Sequence, residues 1–334
     1  MSIRTTVVGS WPIPFGQRAK LKQYYAGELT DEEADSTLAA AARIAMDEQI
    51  ACGLDEIMGG EVFAPDFLHH VPPRLAGLKT IRARDTSKGY DGVGIYEVTG
   101  KISAPLGTGH AKAFRRESAM EPGLQKASVP SPLTIGGGFR SKDRPRHLND
   151  MIEIVRDEIA DMIAAGAKEI QLDAPAEAVG LVMGSSSVDE LLPLVTEPLG
   201  AAEKVRRSIH FCLGDISRTT ATEDQNLRNL LPLIQKLDGV VHRVHIECSY
   251  PGQWQERHIL DQLPGSMQII AGIADVKSSP DSEQSLRDKI LQLLEIIPTD
   301  RLLVSSSCGC GRVPHDEAIR LMRNLVKASA AIEG

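Results

Sequence analysis

Short apolar runs alternate with longer segments of helical periodicity along almost the whole chain. Eight of these runs predict β-strands, which begin near Thr5, Leu54, Lys126, Lys168, Ser208, His242, Met267 and Arg301. Between and after them the spacing of apolar residues predicts helices over Asp31–Cys52, 147–165, 188–207, 282–297 and from about His315 onward. This alternation of strand and helix indicates parallel βαβ units.

Eight parallel strands with right-handed crossovers close naturally into a barrel, so we predict an α/β protein of the (β/α)₈ TIM-barrel type. The connection between the second and third strands, about residues 63–125, is an excursion from this pattern. Its alternating stretch GVGIYEVTGKISAP predicts a hairpin laid over the barrel mouth. No low-complexity linker or repeat interrupts the chain, so we predict a single domain over residues 1–334.

The composition is ordinary for a globular enzyme, with 42% hydrophobic and 25% charged residues. The net charge is −8 and no basic run is present, so we expect no nucleic-acid partner. No apolar stretch reaches the roughly 18 residues of a membrane span, and the N-terminus has no long apolar segment. The five cysteines are an odd number, which favours reduced thiols and a cytoplasmic location, and Cys52 is interpreted as a packing residue.

Polar residues follow the predicted strands, at the barrel end where TIM-barrel chemistry takes place. They are Ser10, Glu61, Asp173, His210, Cys212, Glu247, Cys248, Asp275, Cys308 and Cys310. Taken singly, several have ordinary structural interpretations, because Glu61 follows two glycines and Asp173 precedes Ala-Pro. Their convergence from different strands on one face is what indicates a site.

His210 and Cys212 lie two residues apart in one strand, so both project to the same side with Cα atoms about 6.6 Å apart. One zinc ion can bridge this distance, and Glu247 and Cys308 can complete a set of nitrogen, oxygen and sulfur ligands. Two alternatives stay open: the residues are ordinary core positions, or Cys308 and Cys310 together supply two ligands. Strand alternation turns Cys248 away from Glu247. Ligands spread over about 100 residues indicate a catalytic rather than a structural metal.

The stretches TTVVGSWP, GLDEIMGGE, QLDAPA, HFC, HIECS and SSSCGCGR resemble, in order, the catalytic C-terminal half of cobalamin-independent methionine synthase. The resemblance covers almost the whole chain and implies a TIM barrel whose zinc activates a thiol for alkylation. It implies zinc ligands at His210, Cys212, Glu247 and Cys308. It also implies that two acids, Glu61 and Asp173, hold the amino group of homocysteine, and that the substrate meets backbone near Ser10.

The resemblance is weaker on the side of the methyl donor. We expect the chain to begin directly at the catalytic barrel, without the duplicated N-terminal barrel of the long enzymes. The tryptophan against which the family packs its pterin is replaced in LTIGGGFR, where Phe139 is the nearby aromatic residue. The family's proton-donating histidine matches Lys277, and its partner acid matches Asp275. The donor therefore stays open between methyltetrahydrofolate and a methylcorrinoid protein, with Asp275 and Lys277 as the catalytic candidates.

We therefore predict a zinc-dependent methyltransferase that converts homocysteine to methionine. Glu61 and Asp173 suit an ammonium group, whereas the sulfonate of coenzyme M would require Arg or Lys. Three alternatives stay open: another zinc-dependent thiol alkyltransferase, such as an epoxide:coenzyme M transferase, a metal-free decarboxylase of the porphyrinogen type, and a zinc-binding scaffold. The sequence does not determine the oligomeric state.

Overall fold

The computed structural model describes residues 3–25, 28–64, 70–83, 94–215 and 218–332. The strands are β1 (Arg4–Thr6), β2 (Ala76–Arg82), β3 (Ile95–Ser103), β4 (Lys126–Pro130), β5 (Glu169–Asp173), β6 (Arg206–Phe211), β7 (Arg243–Glu247), β8 (Gln268–Ala274) and β9 (Leu302–Ser306). The helices are α1 (Phe15–Tyr25), α2 (Asp31–Cys52), α3 (His110–Met120), α4 (Pro132–Gly136), α5 (Arg144–Ala164), α6 (Pro175–Val182), α7 (Val188–Leu199), α8 (Leu231–Lys236), α9 (Pro251–Gln255), α10 (Glu283–Leu294) and α11 (His315–Ala330).

A curled sheet of seven parallel strands forms the centre of the molecule, in the order β1-β9-β8-β7-β6-β5-β4. These strands are almost wholly buried, as expected when helices cover a parallel sheet. The register places Asp173 beside His210, and His210 beside His245. The predicted TIM-barrel-like α/β fold is confirmed, and polar strand ends from different strands face one end of it.

The predicted second strand, which begins near Leu54, is not a regular strand in the described residues. Residues 54–61 run as an irregular segment beside β1, with the Glu56 amide donating to the Thr5 carbonyl at 3.1 Å. The side chain of Asp55 accepts from the backbone and hydroxyl of Thr5, at 2.7 and 2.8 Å, in place of a continuing ladder. Gly60 and Glu61 then turn the chain with φ angles of +81° and +55°. Side-chain capping and left-handed backbone here override the apolar pattern.

The excursion contains an antiparallel hairpin, but it is made from different residues than the sequence indicated. GVGIYEVTGKISAP contributes one long strand, β3, which pairs with β2 on its N-terminal side. The strand packs against α5, where the Asp150 carboxylate accepts from the Ile102 amide at 2.8 Å. Residues 84–93, between the two strands, lie outside the described part of the chain. The hairpin is therefore attached to the outer helical layer through β3.

Helix boundaries follow the capping chemistry. The predicted helix Asp31–Cys52 is confirmed, with a capping box formed by Thr30 and Glu33 and a left-handed Gly53 at its end. Helix α7 ends at Leu199 rather than at 207, because a 3-10 turn at Gly200–Ala202 follows and β6 already begins at Arg206. Cys52 is buried against α11, as its interpretation as a packing residue requires. Within the described residues, no helix is long and apolar enough to span a membrane.

A buried ion cluster lies at the opposite end of the barrel, where the strands begin. Arg243, at the start of β7, is fully buried and contacts the carboxylates of Glu169 and Glu56 at 3.0 and 2.8 Å. Glu169 begins β5 and also meets Arg206 of β6 at 3.1 Å. The cluster therefore connects neighbouring strands to the irregular segment that carries Glu56.

Candidate metal centre and substrate site

Three of the predicted metal ligands converge at the carboxyl ends of β6 and β9. The donor atoms of His210, Cys212 and Cys308 all lie within 4.8 Å of one another. The two sulfur atoms are 3.6 Å apart, and Nε2 of the buried His210 has no hydrogen-bond partner among the described residues. Two thiols and a buried imidazole nitrogen free to coordinate fit a zinc ion, which prefers nitrogen and sulfur ligands.

Glu247, the fourth predicted ligand, ends β7 but does not belong to that compact group. One carboxylate oxygen accepts from the Leu213 amide at 2.8 Å, and the other is paired with the buried ammonium of Lys277. Burial raises the pKa of Glu247, and the charge of Lys277 opposes that shift. Burial also lowers the pKa of Lys277, but Glu247 and the two thiols outweigh it and hold that pKa above its ordinary value.

The other two cysteines near these strand ends lie outside the group of donor atoms. Cys248 is fully buried in the hydrophobic core, on the opposite face of its strand from Glu247. Cys310 is also buried, and its amide donates to the Ser10 carbonyl at 2.8 Å. Burial raises the pKa of both thiols to about 12. The geometry therefore favours Cys308 over its neighbours as the sulfur that joins Cys212.

Of the two predicted amine-binding acids, Asp173 is buried and Glu61 is partly buried, and neither has a direct cationic partner among the described residues. Glu61 accepts from the Ser128 hydroxyl at 3.1 Å, and its carboxylate lies against the backbone of Gly9. One oxygen of Asp173 accepts from Gln171 at 2.7 Å, whereas its Oδ2 has no hydrogen-bond partner in the part of the chain that the structure describes. Burial raises the pKa of Glu61 to about 7. Burial and then the charge of Glu61 raise the pKa of Asp173 well above its usual value.

Lys126 lies near these acids but is used elsewhere. Its ammonium donates to the Val7 carbonyl at 2.8 Å and to the Gln171 side chain at 3.0 Å. Burial lowers the pKa of Lys126 to about 8. The lysine therefore supports the pair through Gln171 and leaves both carboxyl groups able to accept another cation.

Ser10 connects the loop after β1 to the loop that carries Cys308. Its hydroxyl accepts from the Gly311 amide at 3.3 Å, and the backbone of Gly309 lies directly against that hydroxyl. Ser10 thereby helps to position the sulfur loop.

The two catalytic candidates on the donor side meet through the backbone of one loop. The carboxylate of Asp275 accepts from the Lys277 amide at 2.8 Å and from the Ser278 hydroxyl at 2.7 Å. Asp275 thus shapes the loop, while the Lys277 side chain extends to Glu247. Phe139, which replaces the expected pterin-stacking residue, is buried edge-on against Tyr96 of β3 at a ring distance of 6.0 Å.

Two further buried residues escaped the sequence analysis. His245 packs against His210, with their Nδ1 atoms 2.6 Å apart. Its signal was present, because His245 lies two residues before Glu247 and therefore shares its face of β7. Glu117 of α3 lies against the backbone of Gly59, and burial followed by the charge of Glu61 raises its pKa to about 8. Nothing in the helical pattern marks this residue.

The fold and the site together define a TIM-barrel-like α/β protein with a candidate metal centre at the carboxyl ends of its strands. The model of the family described as "Cobalamin-independent synthase, Catalytic domain" matches residues 3–331, and the chain belongs to this family.

Named relatives and solved structures agree with this membership. The chain is 24% identical to a 5-methyltetrahydropteroyltriglutamate–homocysteine methyltransferase of Syntrophotalea carbinolica, over 98% of this chain and 43% of the relative. It is also 24% identical to a methionine synthase of Methanothermobacter marburgensis, over 98% and 99% of the two chains. A B12-independent methionine synthase from Shewanella sp. W3-18-1 shares the fold with a TM-score of 0.81, at 18% identity over 100% and 98% of the chains. The chain thus spans less than half the length of the first of these relatives.

Proposed function

We propose that this chain is a zinc-dependent methyltransferase that moves a methyl group to the thiol of homocysteine and forms methionine. The observation that carries the proposal is the convergence of a ring nitrogen of His210 with the sulfur atoms of Cys212 and Cys308, all within 4.8 Å of one another. Family membership and the activities named for the relatives support the same reaction.

The proposed ligands are His210, Cys212 and Cys308, with Glu247 as the oxygen ligand. Two thiolates favour zinc over magnesium or calcium, which prefer oxygen. Bound zinc would hold the substrate sulfur as a thiolate, the nucleophilic form of a thiol whose free pKa is about 8.5. The contact with Cys308 and burial raise the pKa of Cys212 well above its usual value, so the Cys212 thiol is a poor nucleophile by itself.

We assign Glu61 and Asp173 to the amino group of the substrate. An ammonium group would stabilise both carboxylates, which burial otherwise drives toward the protonated form. The sulfonate of coenzyme M would be repelled by the same two acids. The two acids would recognise the charge of the amine through two separate contacts. Removal of one acid would leave the contact with the other.

We assign Asp275 and Lys277 to the part of the site that would receive the methyl donor. A methyl group leaving a folate nitrogen transfers as a methyl cation equivalent: a sulfur–carbon bond forms, the carbon–nitrogen bond breaks, and the nitrogen takes up a proton. Lys277 holds a proton but releases it reluctantly, because its ammonium is paired with Glu247. We propose a methyltetrahydropteroyl donor, in line with the relatives' names, with Asp275 shaping the loop that presents Lys277.

A methylcorrinoid protein is the second candidate donor. It is favoured by the position of Phe139, which is buried edge-on against Tyr96 and therefore is not open to stack on a pterin. A corrinoid leaving group needs no proton, so the pairing of Lys277 with Glu247 would not impede it. Stacking on an aromatic ring is worth about 1 kcal/mol beyond burial, so we expect the monoglutamate folate to be a poor donor.

The test is elemental analysis of protein purified without chelator, followed by a matrix of thiols and donors on the zinc-loaded enzyme. We expect one zinc per chain and methylation of homocysteine in preference to coenzyme M and 4-mercaptobutyrate. The donors compared are methyltetrahydropteroyl monoglutamate, the triglutamate and methylcobalamin. Cys308→Ser should lose most of the zinc, while Cys52→Ser, a buried thiol far along the chain, serves as the matched control and should keep it.

Near-zero zinc together with turnover of zinc-free protein would end the proposal. Full zinc retention in Cys308→Ser would mean that Cys310 or Cys248, and not Cys308, is the zinc ligand. Preference for coenzyme M would favour the other thiol alkyltransferases.

A further inference from the structure

A second histidine lies directly against the candidate metal ligand His210. His245 is its neighbour on β7, both rings are buried, and their centroids are 4.5 Å apart with planes inclined by 63°. The two Nδ1 atoms are 2.6 Å apart, which is a hydrogen bond that requires one proton between them. On its other side, Nε2 of His245 lies 3.0 Å from the Ser306 carbonyl oxygen at the end of β9.

These contacts determine where each proton lies. A carbonyl oxygen only accepts, so Nε2 of His245 carries the N–H that it receives. A neutral imidazole has a single N–H, and this ring uses it on the Ser306 carbonyl, so Nδ1 of His245 is the acceptor. The proton between the rings therefore belongs to Nδ1 of His210. Nε2 of His210 is left with a lone pair and no hydrogen-bond partner in the described part of the chain.

The space for this arrangement is built into the neighbouring strand. Gly272 of β8 lies next to the His245 ring, and a Cβ at this position would come within 2.9 Å of the ring carbon Cε1. Real Cβ atoms essentially never approach so closely, so a side chain here would push the ring away from its two partners. Strands β7, β8 and β9 thus hold the ring from three directions.

We infer that His245 is a positioning residue, which fixes the Nδ1–H tautomer of His210 and directs the lone pair of Nε2 toward the two thiols. The chain of hydrogen bonds that does this runs from the Ser306 carbonyl through His245 to His210. This inference rests on the metal site proposed above. Neighbouring groups of this kind orient a ligand, and their removal weakens metal binding by about 10- to 100-fold.

The tautomer is measured directly by ¹⁵N NMR of the histidine rings in metal-free protein, with the His210 signals assigned by their loss in His210→Asn. We expect Nδ1 of His210 to carry the proton and Nε2 to be unprotonated. The opposite tautomer in wild-type protein would overturn the inference. This measurement needs no metal and no variant of His245, so it stands separately from the proposed function and from any folding defect.

Metal affinity gives the second readout, measured by competition with a chelator. We expect His245→Leu to bind zinc about 10- to 100-fold more weakly. His245→Asn places its carbonyl oxygen where Nδ1 lies and accepts from His210, so we expect it to restore most of that affinity. His147→Leu, a change at another buried histidine on α5, should leave the affinity unchanged.

Folded His245→Leu with wild-type zinc affinity would contradict the role of His245, as would an Asn variant as weak as the Leu variant. If wild-type protein binds no zinc at all, the proposed metal site fails, while the NMR result still decides the tautomer.

Discussion

Two carboxyl groups, those of Asp173 and Glu61, provide the recognition that is proposed for the amino group of the substrate. Asp173 and Glu61 are held by neutral donors, Gln171 and Ser128, which orient them without neutralising their charge. A buried carboxyl group in this state is costly unless a cation arrives. The amine of the proposed substrate would supply such a cation, so binding energy and recognition would come from the same contact.

Asp173→Asn should therefore reduce kcat/KM for homocysteine by at least about thirtyfold, since loss of one partner of a buried charge pair costs about 2 to 5 kcal/mol. Zinc content should not change. The comparison is with 4-mercaptobutyrate, which keeps the carboxylate but lacks the amine and should be affected much less. Glu177→Gln alters another buried acid, one that accepts from Thr134, and should leave the ratio between the two thiols unchanged. An equal loss for both thiols in Asp173→Asn would contradict recognition of the amine.

Glu117 gives the molecule a pH-dependent stability. Its folded-state pKa is about 8, raised from the usual 4.5 by burial and then by Glu61. Between those values the folded protein keeps the proton while the unfolded chain releases it, so the free energy of unfolding falls as pH rises. Glu117→Gln should reduce this fall, measured by urea unfolding at pH 5 and pH 8. The exposed change Glu203→Gln is the control and should follow the wild-type profile, whereas an unchanged profile in Glu117→Gln would refute the assignment.

At the scale of elements, the irregular segment 54–61 decides where Glu61 lies. The segment contacts β1 through the Glu56 amide and β4 through Glu61 and Ser128, and it ends in two left-handed residues. The amide of Trp11 donates to the Gly60 carbonyl at 3.0 Å, which attaches the turn to the loop after β1. A regular strand would continue the pleat and direct the side chain differently, so the broken strand is what brings Glu61 over Gly9.

Gly60→Ala should destabilise the protein and weaken homocysteine binding. A left-handed backbone costs a residue with a Cβ about 1 to 2 kcal/mol, and this Cβ would also lie 2.9 Å from Cβ of Ala45. Gly239→Ala is a matched control, because its φ of +74° is similar and nothing lies within 4 Å of an added Cβ. Both variants should lose stability in urea unfolding, but only Gly60→Ala should raise KM for homocysteine. A raised KM in both would mean that the effect is not local.

At the scale of the whole molecule, one end of the barrel carries the candidate site and the other end carries a buried ion cluster. The proposed metal ligands lie at the carboxyl ends, whereas the amino ends are joined by Arg243 and the acids Glu169 and Glu56. This cluster attaches the irregular segment to the central strands. It therefore supports the site without contacting it.

Arg243→Met should lower the free energy of unfolding by about 3 to 5 kcal/mol, because it removes the buried partner of Glu169 and leaves that carboxylate only the half-exposed Arg206. Arg228→Met removes an exposed pair with Glu256 and should cost less than about 1 kcal/mol. Urea unfolding measures both, and zinc content per folded chain should stay at the wild-type value in each. A loss of zinc in folded Arg243→Met would show that the two ends are coupled.

The alternation of most central strands with the longer helices followed from local pattern. Apolar periodicity and a cap at Thr30 or Asp31 predicted a helix over about Asp31–Cys52, and the structure has it there, because its ends are set by local signals. The same alternation placed His210, Glu247 and Cys308 at strand ends, since strands of a parallel barrel have a defined direction. The resemblance of short motifs then indicated the family that the comparisons confirm.

Tertiary structure decided what those patterns leave open. Whether residues 54–61 form a strand depended on Asp55 meeting Thr5, a contact across 50 residues. That GVGIYEVTGKISAP is one strand, and not two, depended on a partner strand at Ala76–Arg82. The pairing of Glu247 with Lys277, and of His210 with His245, arises from side chains that only the closed barrel brings together. Local sequence specifies direction and period, but hydrogen bonds and charges between distant strands are satisfied only once the chain has closed on itself.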